Sequence, residues 1–305
     1  MSAQASGRTA ARVMNGDEFV QANVASGRNF ADDSSSASNG TSAKNRYVTA
    51  RRLAALDRGM SDRDRAVLTT LARVRVATAR QLYRLHFQGV TRRQARAGLA
   101  SLAGRRLIAR LPRVVGGVRA DSTGYVYALD VAGTRLVRPG RERPQRPWSV
   151  GRAFLDHSLA VTDLYVRLTE AERAGRLHLA DFVTEPGCWR RFHGPGGARL
   201  VLKPDAALRL RLGRYEDRWW LEADCGTESR TTLARKCEVY RRYWQAGVEQ
   251  ARTGVFPRVL WLVPNEQRQG VLVDVIARQP EDARPLFVVA PFASAIDRLV
   301  QGAGV

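Results

Sequence analysis

The stretch LVLKPDAALRLRLGRYEDRWWLEADCG, residues 200–226, decides the fold of the C-terminal half of this chain. Two apolar runs flank Gly213-Arg214, where a tight turn is expected, so the stretch predicts an antiparallel hairpin. Helical periodicity over 153–174 and again over 228–246 places that hairpin between two helices. With further apolar strands on both sides, the pattern predicts a mixed α/β fold.

Three acidic residues lie on this predicted hairpin. A turn centred at Gly213-Arg214 brings position 205 opposite position 222, and strand residues two apart share a face. Asp205, Glu222 and Asp224 are therefore expected to cluster on one surface. Carboxylates are costly to bury together without a counter-charge, and their oxygens are the ligands that hard divalent cations take.

A lysine is expected beside those acids. The predicted helix 228–246 carries an apolar stripe formed by Leu233, Cys237, Tyr240 and Trp244. Lys236 lies at the margin of that stripe, so its ammonium group is expected to reach the sheet, and Lys203 is a second candidate. The alternative is that Glu222 or Asp224 pairs with a nearby arginine, which leaves the metal site as one hypothesis.

Positive charge is concentrated in one part of the chain, whose formal net charge is +21. Residues 47–150 carry 22 arginines against 6 acidic residues, whereas residues 151–305 carry 23 basic residues against 19 acidic ones. A basic segment beside a nearly neutral one indicates a module that binds a polyanion. A general bias towards arginine would explain the scarcity of lysine, but it would not explain this asymmetry.

The basic segment has the order of elements found in a winged helix, predicted for residues 47–138. Cap residues followed by apolar periodicity predict helices over 62–73, 79–87 and 92–104. Two strands follow, RRLIARLPRVV and GYVYALD, joined by the loop 113–124.

Arginines at the start of the third helix, Arg92, Arg93 and Arg96, are predicted to face duplex DNA, where arginine can grip guanine with two hydrogen bonds. Four more would surround them: Arg105, Arg106, Arg110 and Arg119. The alternatives are a solvated face or a surface for protein contact.

The remaining segments carry less information. Residues 1–46 are rich in small polar residues and are predicted to be a disordered tail, and the Pro- and Arg-rich residues 139–152 are predicted to be a linker. Three cysteines without metal-site spacing, and the lack of a signal peptide or membrane-spanning run, predict a soluble, cytoplasmic protein without a small-molecule cofactor.

Pro204-Asp205, the run RWWLEAD and the helix after it resemble the PD-(D/E)xK core of restriction-endonuclease-like proteins. The resemblance implies that residues 153–305 have that fold, and that Asp205 and Glu222 bind Mg²⁺ or Mn²⁺. The chain departs from the pattern at Asp224, where the family has its lysine. Some members take the lysine from the following helix, which is the role that the resemblance gives to Lys236.

Four segments are similar to the replication-relaxation family of plasmids and integrated elements: SDRDRAVLTTLARVRVATARQLYRLHF, GYVYALDVAG, FLDHSLAVTDLYVRL and KPDAALRL with WWLEADCGTESRTTLARKCEVYRRY. The similarity implies a role in plasmid replication, DNA relaxation or mobilisation, with duplex DNA of a plasmid origin or mobile element as partner. The resemblance to restriction-endonuclease-like proteins also implies accessory roles for His157, Asp163 and Glu185, for which ordinary structural roles are the alternative.

Three hypotheses about activity follow. The first is a metal-dependent endonuclease in which Asp205, Glu222, Asp224 and Lys236 act on DNA. The second is a non-catalytic replication or mobilisation regulator, favoured by the departure at Asp224. The third is transesterification by Tyr240 or Tyr243, which are otherwise expected to pack the helix on the sheet. A homodimer is left open.

Overall fold

The computed structural model describes residues 48–111, 125–138 and 152–301. The predicted tail over 1–46, the loop 113–124 with Arg119, and the predicted linker apart from Arg152 lie outside those residues. In the described ranges, every helix is too short or too polar to cross a membrane.

The first part of the fold contains five helices and three short strands among the described residues. They are α1 Ala50–Arg58, α2 Asp62–Val74, β1 Val76–Thr78, α3 Ala79–His86, α4 Arg92–Gly104, β2 Ile108–Leu111, β3 Val126–Leu129 and α5 Val131–Val137.

The second part begins with a long helix and alternates strands with helices. Its elements are α6 Arg152–Arg173, β4 His178–Thr184, β5 Arg190–His193, β6 Arg199–Leu202, β7 Ala206–Leu212, β8 Tyr215–Ala223, α7 Arg230–Gln245, α8 Val248–Thr253, β9 Arg258–Val263, α9 Glu266–Ala277, β10 Phe287–Pro291 and α10 Ala295–Gln301.

The three predicted N-terminal helices are confirmed as α2, α3 and α4. Each begins after a cap residue, Ser61, Thr78 or Thr91, whose hydroxyl accepts a hydrogen bond from the third residue of the helix. The side chain at that third position bonds back to the cap backbone, which satisfies two otherwise unpaired donors at each helix start. The helix starts follow from local sequence.

A three-stranded antiparallel sheet, ordered β1-β3-β2, closes this first part. Prediction from the sequence anticipated strands β2 and β3 but missed β1, a three-residue strand directly before α3. The sheet and helices bury one hydrophobic cluster that includes Leu68, Leu82, Leu99 and Tyr127. Helices α1 and α5 were also missed.

The central sheet has five strands in the order β10-β9-β8-β7-β4. Strands β8, β9 and β10 are parallel, whereas β7 is antiparallel to both β8 and β4. Leu212 pairs with Tyr215, so the predicted turn at Gly213-Arg214 and the predicted hairpin register are confirmed. The mixed α/β fold class is confirmed as well.

Helices cover both faces of this sheet. Leu208 and Leu221 face α6 and α10, where they share a hydrophobic cluster with Leu164 and Leu299. Trp220 faces the other way, into a cluster with α7 and α9. Because side chains alternate along β8, Glu222 points to the α7 side with Trp220. Alternation thus decides which helix can contact that carboxylate.

The predicted single stretch LVLKPDAALRLRL is divided into two strands. Lys203, Pro204 and Asp205 interrupt it, so β6 pairs only with β5 in a separate two-stranded sheet and β7 joins the central sheet. Proline offers no backbone N–H to a strand ladder, which accounts for a break at this point. The small hairpin β5–β6, α8 and α10 were not anticipated.

Candidate functional site

Asp205 and Glu222 lie at the end of the central hairpin, where β7 begins and β8 ends. Asp205 precedes β7 by one residue, and its N–H donates to the carbonyl of Leu221 at 3.0 Å. Continuing the register of Ala206 with Leu221 places Asp205 opposite Glu222, as the turn predicted. The backbone N–H of Ala223 donates to Asp205 Oδ2 at 2.6 Å, which holds the carboxylate against the neighbouring strand.

Glu222 is an almost completely buried carboxylate with two side-chain donors from α7. Only 2% of its surface is exposed. Lys236 Nζ lies 3.0 Å from Oε2, and the Tyr240 hydroxyl donates to Oε1 at 2.7 Å. Burial and the neighbouring charge of Asp205 raise the pKa of Glu222 to about 7, against the opposing effect of Lys236. Negative charge at this site is therefore only partly compensated.

Lys236 contacts a second carboxylate as well. Its Nζ lies 2.7 Å from Glu228 Oε1 and 5.6 Å from the ring centroid of Trp261. Burial works to lower the pKa of Lys236, but the charges of Glu222 and Asp205 outweigh it, so the pKa lies above its ordinary value. The side chain therefore stays a cation, at the margin of α7 where the apolar stripe placed it.

His157 of α6 reaches Asp205 from the opposite helix layer. Its Nε2 lies 3.1 Å from Asp205 Oδ1. Burial alone would lower the pKa of His157, but hydrogen bonds with Asp205 and Cys225 outweigh burial and raise the pKa to about 11. Asp205 therefore faces an imidazolium, while Glu222 faces an ammonium group.

The Asp224 carboxylate is paired with an arginine from α9, which covers the same side of the sheet as α7. Arg268 of α9 binds both of its oxygens, with Nε 2.5 Å from Oδ2 and Nη2 3.1 Å from Oδ1. Gly226 N–H donates to Oδ1 as well. Asp224 is therefore held in an ion pair with an arginine, which is the alternative that the sequence left open, and among the described residues it does not complete a three-acid metal group.

The described residues of this site do not form a complete set of three metal ligands. Over the described ranges, His, Cys, Asp and Glu side chains come together nowhere in a group of three or more that could hold a metal ion. The carboxylates beside Lys236 and His157 are Glu222, Glu228 and Asp205, and Glu222 and Asp205 are the two that the resemblance implied as metal ligands.

The other predicted accessory residues lie in different surroundings. Asp163 pairs with Arg167 at 2.8 Å and with Arg84 at 3.3 Å. The Lys203 ammonium lies over the ring of Trp189, 4.9 Å from its centroid. Glu185 is nearest to the site, because its backbone N–H donates to the carbonyl of Asp205 at 3.1 Å.

The arginines predicted to contact DNA divide into two groups. Arg92, Arg93 and Arg96 are exposed at the start of α4, and within the described chain no acidic residue forms an ion pair with them. Arg105 is held by Asp64 at 2.7 Å and Arg106 contacts Asp130 at 3.5 Å, so both have structural partners.

Arg110 is exposed on β2 and lies over the ring of Tyr125, 4.9 Å from its centroid. Tyr125 is itself 53% exposed, and in the sequence it directly follows the predicted loop 113–124. Arg119, the last of the predicted set, falls in the part of the chain that the structure does not describe.

Sequence reasoning missed several partners of the site. Glu228 belongs to the Gly-Thr-Glu motif before α7, so the motif was a usable signal for it. Tyr240 was expected only to pack, whereas its buried hydroxyl also bonds Glu222. Tyr243 is buried where Trp244 was predicted, and its hydroxyl bonds Glu249. Arg268 carries no local signal, because it lies 44 residues from Asp224.

A family model described as replication-relaxation matches residues 68–259, which spans α2 to β9 and includes every element of the site except α9. Searches of curated proteins and of solved structures found no match to the chain. The family description indicates a role in plasmid replication or relaxation. Since the match covers well over half of the sequence, the chain belongs to the replication-relaxation family.

Proposed function

We propose that this protein binds double-stranded DNA of a plasmid or mobile element and nicks or cleaves it by phosphodiester hydrolysis. The observation that carries the proposal is the convergence of Glu222, Lys236 and Asp205 at one end of the central sheet. Lys236 Nζ lies 3.0 Å from Glu222, and the charge of Asp205 reaches both residues. A carboxylate pair beside an ammonium group suits the hydrolysis of a phosphate ester.

The two carboxylates fit Mg²⁺ or Mn²⁺. Mg²⁺ binds through one or two carboxylates and keeps several water ligands, so Asp205 and Glu222 would suffice. The raised pKa of Glu222 reflects negative charge that a cation would stabilise. Glu228 Oε2 is also buried and, among the described residues, has no hydrogen-bond partner. When bound, the ion would supply a nucleophilic hydroxide and neutralise the phosphate.

The protein's own side chains have separate tasks in this proposal. Tyr240 and Lys236 each donate to one oxygen of Glu222 and so hold its carboxylate in one orientation. His157 and the N–H of Ala223 do the same for Asp205. Lys236 stays protonated, and its ammonium stabilises negative charge that develops on a phosphate.

The nicking proposal is tested with supercoiled plasmids that carry candidate replication or transfer origins, incubated with the full-length protein and Mg²⁺. We expect open-circular product from the wild type and a loss of roughly 100-fold or more in Glu222→Gln, since one stabilising group at a reacting centre is typically worth that much. Gln keeps the shape and the Tyr240 contact.

Asp274→Asn is the matched control for that experiment, because Asp274 lies in an exposed ion pair with Arg230. It should nick at the wild-type rate. No nicking by the wild type on any origin, or equal rates for Glu222→Gln and the wild type, would contradict the proposed chemistry.

DNA binding is assigned to the first turns of α4. Arg92, Arg93 and Arg96 are exposed there without acidic partners among the described residues, and Arg110 adds a fourth exposed guanidinium on β2. Arginines that neutralise phosphates release counterions, so log K falls with log salt concentration by about 0.9 for each phosphate contact.

The triple variant Arg92→Ala, Arg93→Ala, Arg96→Ala should bind duplex DNA with a salt slope that is shallower by about two to three. Fluorescence anisotropy over a salt series measures that slope. Arg105→Ala is the control, because Arg105 is engaged by Asp64 and its loss should leave the slope unchanged. Equal slopes for the triple variant and the wild type would exclude α4 as the DNA-binding surface.

A second candidate function is a non-catalytic regulator of replication or mobilisation. Two observations favour it: Arg268 engages both oxygens of Asp224, and Lys236 is already paired with both Glu222 and Glu228. Calorimetric titration with Mg²⁺ discriminates between the candidates. Heat that disappears in Asp205→Asn favours the nuclease, and the absence of heat in the wild type favours the regulator.

A further inference from the structure

A small cleft lies between the first part of the fold and the end of the central sheet. Its polar lining consists of Arg75, His157, Ser158, Thr184, Glu185 and Asp205. Asp205 is one of the two proposed metal ligands, and His157 is its imidazolium partner. Arg75 enters this lining from the junction of α2 and β1, which places a guanidinium from the DNA-binding part beside the carboxylates.

The backbone of Arg75 adopts a conformation that arginine disfavours. It caps α2 with φ 72° and ψ −49°, and its N–H donates to the carbonyl of Leu71. Glycine is the residue that this positive φ favours, since a Cβ adds steric strain. A non-glycine residue in such a conformation motivates the hypothesis that its side chain has a function.

The guanidinium of Arg75 is held by two contacts that leave other N–H donors for a ligand. Nη1 lies 3.0 Å from Glu185 Oε1, and the group lies over the ring of Phe154, 4.7 Å from its centroid. Arginine has five N–H donors in a planar fork that matches a phosphate. The Arg75 side chain is 36% exposed, so the remaining donors can reach a ligand in the cleft.

We propose that this cleft is a phosphate-binding subsite in which Arg75 holds a backbone phosphate of DNA next to Asp205. The inference rests on the proposed function, because it takes DNA as the ligand. The carboxylates of Asp205 and Glu185 repel a phosphate, and Arg75 offsets that repulsion while Glu185 keeps the guanidinium pointed into the cleft. Arg75 also connects DNA held by α4 with the site on the sheet.

The test compares full-length Arg75→Gly, Arg75→Lys and wild-type proteins by anisotropy on a short fluorescein-labelled duplex. Salt is varied in buffer that contains EDTA, so that binding is measured without cleavage. Arg75→Gly should make the salt slope shallower by about 0.9, the value for one phosphate contact, and Arg75→Lys should restore it because the charge is retained.

A melting curve separates this role from a purely structural one. Arg75→Gly removes one ion pair but relieves the backbone strain, so its melting temperature should stay within about 2 °C of the wild type. The matched control is Arg176→Ala, which also removes an arginine paired with an acid, Asp297. Arg176 follows the far end of α6, about 24 Å along the helix from His157.

Each outcome decides the inference. An unchanged slope in Arg75→Gly, an equal decrease in Arg176→Ala, or no restoration by lysine overturns the phosphate subsite. Wild-type protein that binds DNA but does not nick plasmid refutes the proposed chemistry and leaves this subsite standing. Wild-type protein that does not bind DNA ends both.

Discussion

Partners drawn from distant parts of the chain decide what each acidic residue can do. Asp205, Glu222 and Asp224 lie within a hairpin, yet they take their cationic partners from three different helices, α6, α7 and α9. Glu222 is left with a raised pKa, whereas Asp224 is bound through both oxygens by a guanidinium. A carboxylate thus has a raised pKa in one case and lies in a structural ion pair in the other.

The first prediction concerns the Asp224–Arg268 pair. Both side chains are largely buried, with 0% and 14% exposed, so Arg268→Ala leaves an uncompensated buried carboxylate. We expect a loss of about 3 kcal/mol in the free energy of unfolding, measured by urea denaturation.

Arg230→Ala is the control for that prediction, since Arg230 and Asp274 form an ion pair that is about half exposed. Its cost should stay below roughly 0.5 kcal/mol. If both substitutions cost the same, burial of the Asp224 carboxylate has no energetic consequence and the prediction is wrong.

The second prediction concerns His86, the last residue of α3. Its Nε2 lies 2.9 Å from Thr70 Oγ1, and burial, with a contribution from Arg173, lowers its pKa from 6.5 to about 4. Between those two values the unfolded chain takes up a proton that the folded protein refuses. The contribution of His86 to stability is therefore full above pH 6.5 and is lost as the pH falls towards 4.

Substituting His86→Gln should flatten that part of the stability profile by about 2–3 kcal/mol, because Gln keeps a partner for Thr70 and does not titrate. Urea denaturation at a series of pH values from 7 to 4 measures the difference. His193→Gln, at an exposed position of β5, should leave the profile as it is. A His86→Gln profile parallel to that of the wild type would contradict the assignment.

At the scale of the elements, two helical glycines have opposite surroundings. A Cβ at Gly133 of α5 would lie 2.0 Å from the carbonyl oxygen of Leu107, so that helix packs directly on backbone. A Cβ at Gly270 of α9 would meet nothing within 4 Å. The first glycine is required by packing, and the second only adds chain entropy to the unfolded state.

The third prediction follows from that contrast. Gly133→Ala should destabilise the protein by about 2 kcal/mol or more, because either α5 or the backbone at Leu107, just before β2, must move. Gly270→Ala should stabilise it by about 0.5–1 kcal/mol through helix propensity. Thermal melting of the two variants checks both signs, and a destabilising Gly270→Ala would show that α9 is constrained in some other way.

At the scale of the whole molecule, the two parts of the fold meet along α6. Arg84 of α3 binds Glu170 with two hydrogen bonds, at 2.8 and 2.5 Å, and also contacts Asp163. The buried hydroxyl of Thr162 donates to the carbonyl of Val76 at 2.8 Å, and the Gln81 amide donates to the carbonyl of Leu159 at 3.1 Å. Polar contacts therefore supply much of the specific connection between α6 and the first part of the fold.

The fourth prediction tests how strongly these contacts couple the two parts, and with it the proposed domain division. Five of the six tryptophans lie after α6, so their fluorescence reports mainly on the central sheet, whereas far-ultraviolet circular dichroism reports on both parts. In the wild type the two urea transitions should coincide. In Arg84→Ala the dichroism transition should begin at lower urea than the fluorescence transition.

Arg241→Ala is the control for that experiment, because Arg241 forms an equally close pair with Glu238 inside α7. It should keep the two transitions together. Coincident transitions in Arg84→Ala would mean that hydrophobic packing against α6, and not the ion pairs of Arg84, couples the two parts of the fold.

Local features of the sequence were enough for most of the elements. Caps, periodicity and turn residues act over a few positions, so α2, α3, α4 and the β7–β8 hairpin were predicted closely. Short elements were missed because a strand such as β1 or a helix such as α5 has little periodicity to detect. The break at Lys203-Pro204 was not anticipated, although Pro204 is a local signal for it.

The sequence by itself determined the class of fold and the placing of Asp205, Glu222 and Lys236 together, because strand alternation, turn register and helix periodicity act over short distances. It determined the family through the resemblance of four segments. Only the tertiary structure decided that Asp224 belongs to Arg268, that His157 faces Asp205, and that Arg75 enters the cleft. Those contacts join residues 44 or more positions apart. Their geometry depends on how helices pack across a sheet, which no local pattern encodes.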